Sequence, residues 1–138
     1  MTAIDVGYNQ LSWSLIKNEK VKSIEKTHIK DLKTEDKKNF DLIVADISFN
    51  SLENLAPSIA SASKKESFSI LLLVKPQFEL PRSDVPKGGV VTNHFDQKKA
   101  IQKAILSFEN LGFSFLSQVD SPIKGRTGNT ETFIYLKK

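Results

Sequence analysis

Short apolar runs alternate with helical patterns along this chain. Strands are predicted over residues 2–6, 21–24, 41–47, 68–74, 113–119 and 131–136. Helices are predicted over residues 9–16, 51–62 and 96–111, where apolar residues recur at intervals of three and four. Parallel strands need a crossover connection, which a helix provides, so this alternation indicates an α/β layered domain with a mostly parallel sheet.

The connections refine this prediction. Phe68–Val74 is the most apolar segment and is expected to be a central strand buried on both faces. Residues 121–130 form a turn-rich connection without a helix, so the last two strands are expected to pair antiparallel. Residues 30–39 are polar and indicate a loop or a solvated helical turn. The Pro- and Gly-rich segment 76–93 is predicted to be a long loop, and loops of that length usually have a function.

The composition sets outer limits on the class of protein. The 138 residues, 39% hydrophobic and 26% charged, fit one globular domain spanning residues 1–138. The absence of cysteine excludes disulfides and thiolate metal sites, and no metal site is predicted. No apolar run approaches the roughly 20 residues that span a bilayer, and the start of the chain does not resemble a secretory signal. We therefore expect a cytoplasmic protein with no membrane partner.

The net charge of +4 comes almost wholly from lysine, because Arg82 and Arg126 are the only arginines. A mild excess of lysine suits a phosphate-bearing partner such as a nucleic acid. A lysine-rich, solvated surface explains the same charge. The charge alone therefore leaves the partner open.

Charged residues mark the predicted carboxyl ends of several strands. Asp5 and Asp46 lie near the carboxyl ends of the first and third strands. Lys75 directly follows the fourth strand, and Glu131 opens the last one. Ligands of open α/β sheets bind at this edge, and an antiparallel last strand brings its start there. An acid, a lysine and a second acid can position a hydroxyl beside an electrophilic methyl group. Each residue taken alone is equally explained as a turn, cap or surface residue.

Six segments carry a resemblance to a known family. In chain order they are Asp5-Val-Gly-Tyr-Asn-Gln-Leu11, Asp46-Ile-Ser-Phe-Asn-Ser-Leu52, Lys75-Pro-Gln-Phe-Glu79, Lys87-Gly-Gly-Val-Val91, Ser121-Pro-Ile-Lys-Gly125 and Gly128-Asn-Thr-Glu131. They resemble the methyltransferase domain of the hemolysin A-like, FtsJ-like RNA methyltransferases. The third and fourth segments are the most specific, and together the six span nearly the whole chain.

The resemblance implies a fold, an activity and a set of site residues. The fold is a Rossmann-like methyltransferase sheet, and the activity is S-adenosylmethionine-dependent methylation of ribose 2′-hydroxyls in ribosomal RNA. Asp46, Lys75 and Glu131 resemble three members of the family's catalytic Lys-Asp-Lys-Glu set. Asp5 resembles the acid that holds the cofactor ribose. His28 falls near the adenine-contacting segment, although an ordinary surface histidine fits its position as well.

Three features of the family are not found in this sequence. The Gly-rich cofactor strand, the first catalytic lysine and the small N-terminal RNA-binding domain would all precede Asp5. The chain is therefore expected to be the distal part of such an enzyme, with its sheet lacking the first strand. Strands left without a neighbour expose their edges, and such edges favour self-association or pairing with a partner chain.

Two other functions stay open. The second hypothesis, after the methyltransferase, is a non-catalytic remnant of the same fold, or an RNA- or partner-binding module that requires another chain. The hemolysin name suggests a cytolysin, with the amphipathic segment 96–111 meeting a membrane. Such apolar stripes usually face a protein core, so the sequence favours the methyltransferase.

Overall fold

The computed structural model describes residues 1–138, and their strands form two separate sheets. The smaller sheet pairs β1 (Thr2–Ile4) with β2 (Lys22–Ile24) in parallel. The larger sheet has four strands in the order β3, β4, β6, β5. These are β3 (Leu42–Ala45), β4 (Ser69–Val74), β5 (Ser114–Asp120) and β6 (Thr132–Lys137).

The larger sheet is parallel on one side and antiparallel on the other. β3 and β4 run parallel, whereas β6 runs antiparallel to both β4 and β5. The antiparallel pairing predicted for the last two strands is therefore confirmed. Neither β1 nor β3 has a second neighbour, so each sheet ends at an unpaired strand.

Two helices cover one face of the larger sheet. α2 (Leu52–Ala60) and α4 (His94–Glu109) pack against β4 and β6. The buried core between them contains Leu52, Leu55, Ile59, Ile70, Leu72, Val74, Ala104, Ile105, Phe108, Phe113, Ile134 and Leu136. On the other face of β4, Leu73 is buried but Leu71 is only half-buried, so the predicted burial of this strand on both faces holds in part.

Both long helices begin at a capping side chain, and α4 begins at His94, two residues before its predicted start. The Ser51 hydroxyl accepts a hydrogen bond from Asn54 N–H at the start of α2, as a capping residue does. Asn93 caps α4 in the same way by accepting from Phe95 N–H at 2.8 Å. Gly112, at φ +85°, follows the end of α4 in a left-handed conformation that favours glycine.

Two predicted elements differ from the structure. The first helix is only α1 (Trp13–Ile16), because the chain bends at residues 6–9, where Asn9 adopts a φ of +57°. The long loop that follows β4 begins with a short helix, α3 (Pro76–Glu79).

The polar segment before β3 contains two 3₁₀ turns, Ile29–Asp31 and Thr34–Asp36, as its pattern indicated. No helix is long and apolar enough to cross a membrane.

Candidate active site at the carboxyl edge of the larger sheet

Lys75 and Asp46 form an ion pair where β3 and β4 end. The two strands run parallel, so the residues that follow them emerge at the same edge of the sheet. Lys75 Nζ lies 2.6 Å from Asp46 Oδ1 and donates to the Ser48 hydroxyl at 3.0 Å. The lysine side chain is 12% exposed, so its ammonium reaches the edge of the sheet from a largely covered position.

Glu131 directly precedes β6, which is the neighbour of β4 on the side away from β3 and Asp46. Val74 pairs with Thr132 across the antiparallel β4–β6 ladder, so the next positions, Lys75 and Glu131, face each other beyond its end. Glu131 is buried, and its carboxylate rests against the backbone of Gly125. A Cβ built at Gly125 would lie 2.4 Å from Glu131 Oε1. Only glycine fits this contact without displacing the carboxylate.

A third carboxylate, that of Glu79, links the segment after Lys75 to the segment after Asp46 by a hydrogen bond. Its Oε1 accepts a hydrogen bond from Leu52 N–H at 2.9 Å, at the start of α2. Its Oε2 is buried without a hydrogen-bond partner. Burial raises the pKa of Glu79 to about 7 from an ordinary value of 4.5, although the Leu52 hydrogen bond and the Lys103 charge lower it. Glu79 therefore exchanges its proton near neutral pH.

An exposed aromatic ring stands beside the ion pair. Phe49 follows Asp46 by three residues, is 84% exposed and adopts a φ of +64°. Its ring contacts Phe78, with 5.3 Å between the ring centroids. Both phenylalanines line an open groove of about 770 Å³ that also includes Asn54 and Arg82. The groove therefore offers an aromatic surface and a cation next to the Lys75 site.

The two predicted cofactor residues lie on the smaller sheet. Asp5 follows β1, and its Oδ1 accepts a hydrogen bond from Gly7 N–H at 2.6 Å. His28 follows β2, and its Nδ1 accepts from Lys30 N–H at 3.1 Å, which caps the first 3₁₀ turn. The structure thus pairs Asp46 with Lys75 and places Glu131 opposite Lys75 at the same edge of the larger sheet. Asp5 and His28 follow the strands of the other sheet.

The sequence patterns assigned no role to Phe49 or Glu79. Both occur inside segments that carried the family resemblance, but an isolated phenylalanine usually indicates core and a loop glutamate usually indicates surface. The positive φ of Phe49 and the burial of Glu79 depend on tertiary structure. The one sequence signal was Pro76, because proline is favoured at the first position of a helix and so indicates the short helix that contains Glu79.

The arrangement of Asp46, Lys75 and Glu131 is suited to holding a hydroxyl group. A lysine ammonium donates hydrogen bonds, and flanking carboxylates accept them. A hydroxyl that binds between them has its oxygen lone pairs and its proton fixed in direction. This geometry supports transfer of a group to that oxygen.

Comparison with known proteins assigns the chain to a family. The model of the FtsJ-like methyltransferases matches residues 1–138. The chain belongs to the FtsJ-like methyltransferase family. This confirms the family resemblance that the six sequence segments carry.

Relatives of known name extend this result. The chain is 38% identical to Hemolysin A of Brachyspira hyodysenteriae over 131 residues, covering 94% of this chain and 54% of the relative. It is 43% identical to the 23S rRNA (cytidine-2′-O)-methyltransferase TlyA of Campylobacter jejuni, covering 100% of this chain and 53% of the relative. The chain therefore spans about half the length of the curated relatives it matches.

Solved structures share the fold. A crystal structure named provisionally as a hemolysin from Lactococcus lactis superimposes with a TM-score of 0.92 at 32% identity, covering 99% of this chain and 66% of that one. A SAM-dependent methyltransferase structure from Methanosarcina mazei gives a TM-score of 0.64 at 13% identity, covering 99% and 81%. The second likeness shows the fold alone. The Rossmann-like methyltransferase fold class predicted from the sequence is thus confirmed.

Proposed function

We propose that the chain is the catalytic part of an S-adenosylmethionine-dependent ribosomal RNA ribose 2′-O-methyltransferase. The observation that carries the proposal is the Lys75–Asp46 ion pair at the edge of the sheet where Glu131 lies opposite Lys75 in the strand register. The names of the Campylobacter and Mycobacterium tuberculosis relatives, which describe rRNA (cytidine-2′-O)-methyltransferases, support the same activity.

The three residues act on the ribose hydroxyl. Lys75 donates a hydrogen bond to the hydroxyl oxygen, and Asp46 and Ser48 hold its ammonium in position. The Glu131 carboxylate accepts a hydrogen bond from the hydroxyl group. Because the hydroxyl hydrogen then points toward Glu131, a lone pair of the hydroxyl oxygen points away from it. The hydroxyl proton would pass to the Glu131 carboxylate as the oxygen takes up the methyl group, whose bond to the cofactor sulfur would break. Positioning of this kind supplies a large part of the rate of a displacement.

Asp5 and His28 are the proposed cofactor residues. S-adenosylmethionine supplies an electrophilic methyl group when it is bound. Asp5 fits the cofactor's ribose, because one carboxylate oxygen is used by Gly7 N–H and the other has no partner in the chain. Gly7 permits this tight turn, since a Cβ there would lie 3.0 Å from Asp5 Oδ1. His28 keeps Nε2 free for the adenine while Nδ1 caps the turn.

The RNA approaches over the groove beside Phe49. An exposed ring can stack on an unpaired base, and single-stranded RNA is bound in this way by many proteins. The base of the target nucleotide would then lie on Phe49 while its ribose reaches Lys75. We place this activity in the cytoplasm, where ribosomal RNA is available.

The unpaired edges of β1 and β3 favour a second interaction. Each offers a row of backbone groups without a ladder partner, and a strand from a further segment or another chain can pair with them. Sedimentation analysis of the purified chain tests this directly. Self-association that increases with concentration supports pairing between copies, and a monomer at all concentrations contradicts it.

Calorimetric titration of the folded chain with S-adenosylmethionine is the first test of the proposed function. Binding in the micromolar range, followed by incorporation of labelled methyl groups into ribosomal RNA, supports it. A folded protein that binds the cofactor but methylates no RNA would contradict the substrate. A folded protein that binds no cofactor would contradict the activity and favour a non-catalytic member of the family.

A further inference from the structure

Two loops beside Glu131 carry cations that no carboxylate neutralises. Arg82 and Lys87 lie in residues 81–90, and Lys124 and Arg126 lie in residues 121–130. All four are exposed, and none forms an ion pair. The only carboxylate in these two segments, Asp84, pairs with Lys99 at 3.0 Å. Both arginines of the chain are therefore in these loops, and both are free to bind an anion.

Asn129 holds the two loops together. Its side chain is fully buried, with Oδ1 accepting a hydrogen bond from Val91 N–H at 2.8 Å. Its Nδ2 donates to the carbonyl oxygen of Gly89 at 2.8 Å and to the Thr127 hydroxyl at 3.1 Å. Because Asn129 precedes Glu131 by two residues, these hydrogen bonds fix the loop of Gly89 relative to the active-site carboxylate.

Several backbone N–H groups in and beside the turn at Lys87–Gly89 have no acceptor within the chain. Gly89 N–H bonds to the Pro86 carbonyl at 2.7 Å and closes the turn. The N–H groups of Lys87, Gly88 and Val90 donate to no atom of the chain. Free backbone N–H groups in a turn, beside a lysine, provide the donors that phosphate oxygens accept.

Gly88 has no structural reason to be glycine within the chain itself. Its φ is not in the left-handed region, unlike that of Gly89 at +72°. A Cβ built at Gly88 would meet no atom within 4 Å. The glycine instead leaves the backbone of the turn open to a molecule that approaches closely.

We propose that the Lys87–Gly88–Gly89 turn binds a backbone phosphate of the RNA strand whose ribose is methylated. Arg126 and Lys124 face the same strand from the second loop, and Asn129 sets the distance between this phosphate and Glu131. The inference rests on the proposed function, because it assigns a contact to the same substrate. It adds a phosphate-binding element that is distinct from the Asp46, Lys75 and Glu131 cluster.

Binding of a fluorescein-labelled single-stranded oligoribonucleotide, measured by anisotropy at several salt concentrations, tests the proposal. Lys87→Ala should reduce the slope of log affinity against log salt by about 0.7, the value for one lost phosphate contact on a single strand. Gly88→Ala should weaken binding by about tenfold, as expected for loss of one charge-assisted hydrogen bond. Its thermal unfolding should stay unchanged, because the added methyl group meets nothing in the free chain.

Lys64→Ala is the matched control. Lys64 is also exposed and free of ion pairs, but it lies in the connection that enters the amino end of β4. Its removal should change neither the affinity nor the salt slope. Equal losses in Lys64→Ala and Lys87→Ala would indicate diffuse attraction by net charge and would overturn the phosphate site.

Methyl transfer measured on the same proteins separates the two proposals. A wild-type protein that methylates RNA, with Lys87→Ala and Gly88→Ala variants that bind RNA as the wild type does, contradicts the phosphate site alone. A folded wild-type protein that neither binds nor methylates RNA contradicts the proposed function and this inference with it. Selective weakening by both substitutions supports the site.

Discussion

Lys75 is the more covered partner of its ion pair with Asp46: its side chain is 12% exposed, against 64% for the aspartate, at a separation of 2.6 Å. An ion pair whose carboxylate is mostly in solvent adds little to stability, so a role in positioning explains this pair better than folding energy does. The covered stem of the lysine fixes where its ammonium emerges. Asp46 and Ser48 then fix the direction in which the ammonium donates.

Lys75→Ala should reduce the turnover of methyl transfer by at least about 100-fold, the usual contribution of a group that positions or transfers a proton. Cofactor affinity should change little, because Asp5 and His28 lie on the other sheet. Turnover and calorimetric binding measure the two effects separately. Near-normal turnover in the variant would show that Lys75 has no catalytic role. Lys64→Ala is the control, and its turnover should match that of the wild type.

Gly125→Ala should lower turnover through Glu131. The new methyl group would lie 2.4 Å from the Glu131 carboxylate oxygen and must displace it. The double variant Gly125→Ala/Glu131→Ala should then be no slower than Glu131→Ala alone, because the two changes act on one group. Losses that simply multiply in the double variant would contradict this coupling.

Glu79→Gln should remove a pH dependence of stability. In the folded chain Glu79 keeps its proton up to about pH 7, whereas in the unfolded chain it loses the proton near pH 4.5. The folded state therefore binds more protons between these values, so the free energy of unfolding falls as the pH rises through this range. The ionisation of Glu79 lowers the free energy of unfolding by about 3 kcal/mol at most. The glutamine retains an acceptor for Leu52 N–H and cannot ionise.

Urea unfolding of the wild type and Glu79→Gln between pH 5 and pH 8 provides the measurement. The variant should be the more stable protein at pH 8, and the difference should shrink toward pH 5. Glu66→Gln, which changes an exposed carboxylate, should follow the wild type at every pH. Parallel curves for the wild type and Glu79→Gln would show that Glu79 ionises normally.

Asn129→Ala should destabilise the chain by about 1–3 kcal/mol for each buried group that loses its partner. The Val91 N–H and the Gly89 carbonyl would both be left without their present hydrogen bonds. Denaturant unfolding measures the loss. Asn54→Ala, at an exposed position of α2, should change the stability by no more than about 0.5 kcal/mol. Equal small effects in both variants would contradict the role of Asn129 in holding the two loops together.

The strands and their pairing followed from local patterns. Alternation of apolar runs with helical periodicity is enough to place β3, β4 and α4, because burial on one face depends on residue spacing. The short α1 was overestimated, since the left-handed residue Asn9 interrupts a pattern that is otherwise helical. The short helix α3 was missed because four residues carry too little periodicity.

The convergence of Asp46, Lys75 and Glu131 was also predictable, because strand direction determines which residues share an edge. The contacts that support these residues were not. Asn129 bonds to groups 38 and 40 positions away, and Glu79 bonds to one 27 positions away. No local spacing in a sequence indicates such distant hydrogen bonds. They depend on how two loops meet after the sheet has formed.

The unequal pairing of the strands has a consequence for amide exchange with solvent deuterium. β4 is bonded along both edges, to β3 and to β6, whereas β3 and β1 have only one partner each. Amides of β4 and β6 should therefore exchange only when the whole domain opens, and those on the unpaired edge of β3 should exchange by local fluctuation. Among the strands, the most protected are then β6 and the strand that directly precedes Lys75, and the unpaired edge of β3, where a further strand can dock, is less protected.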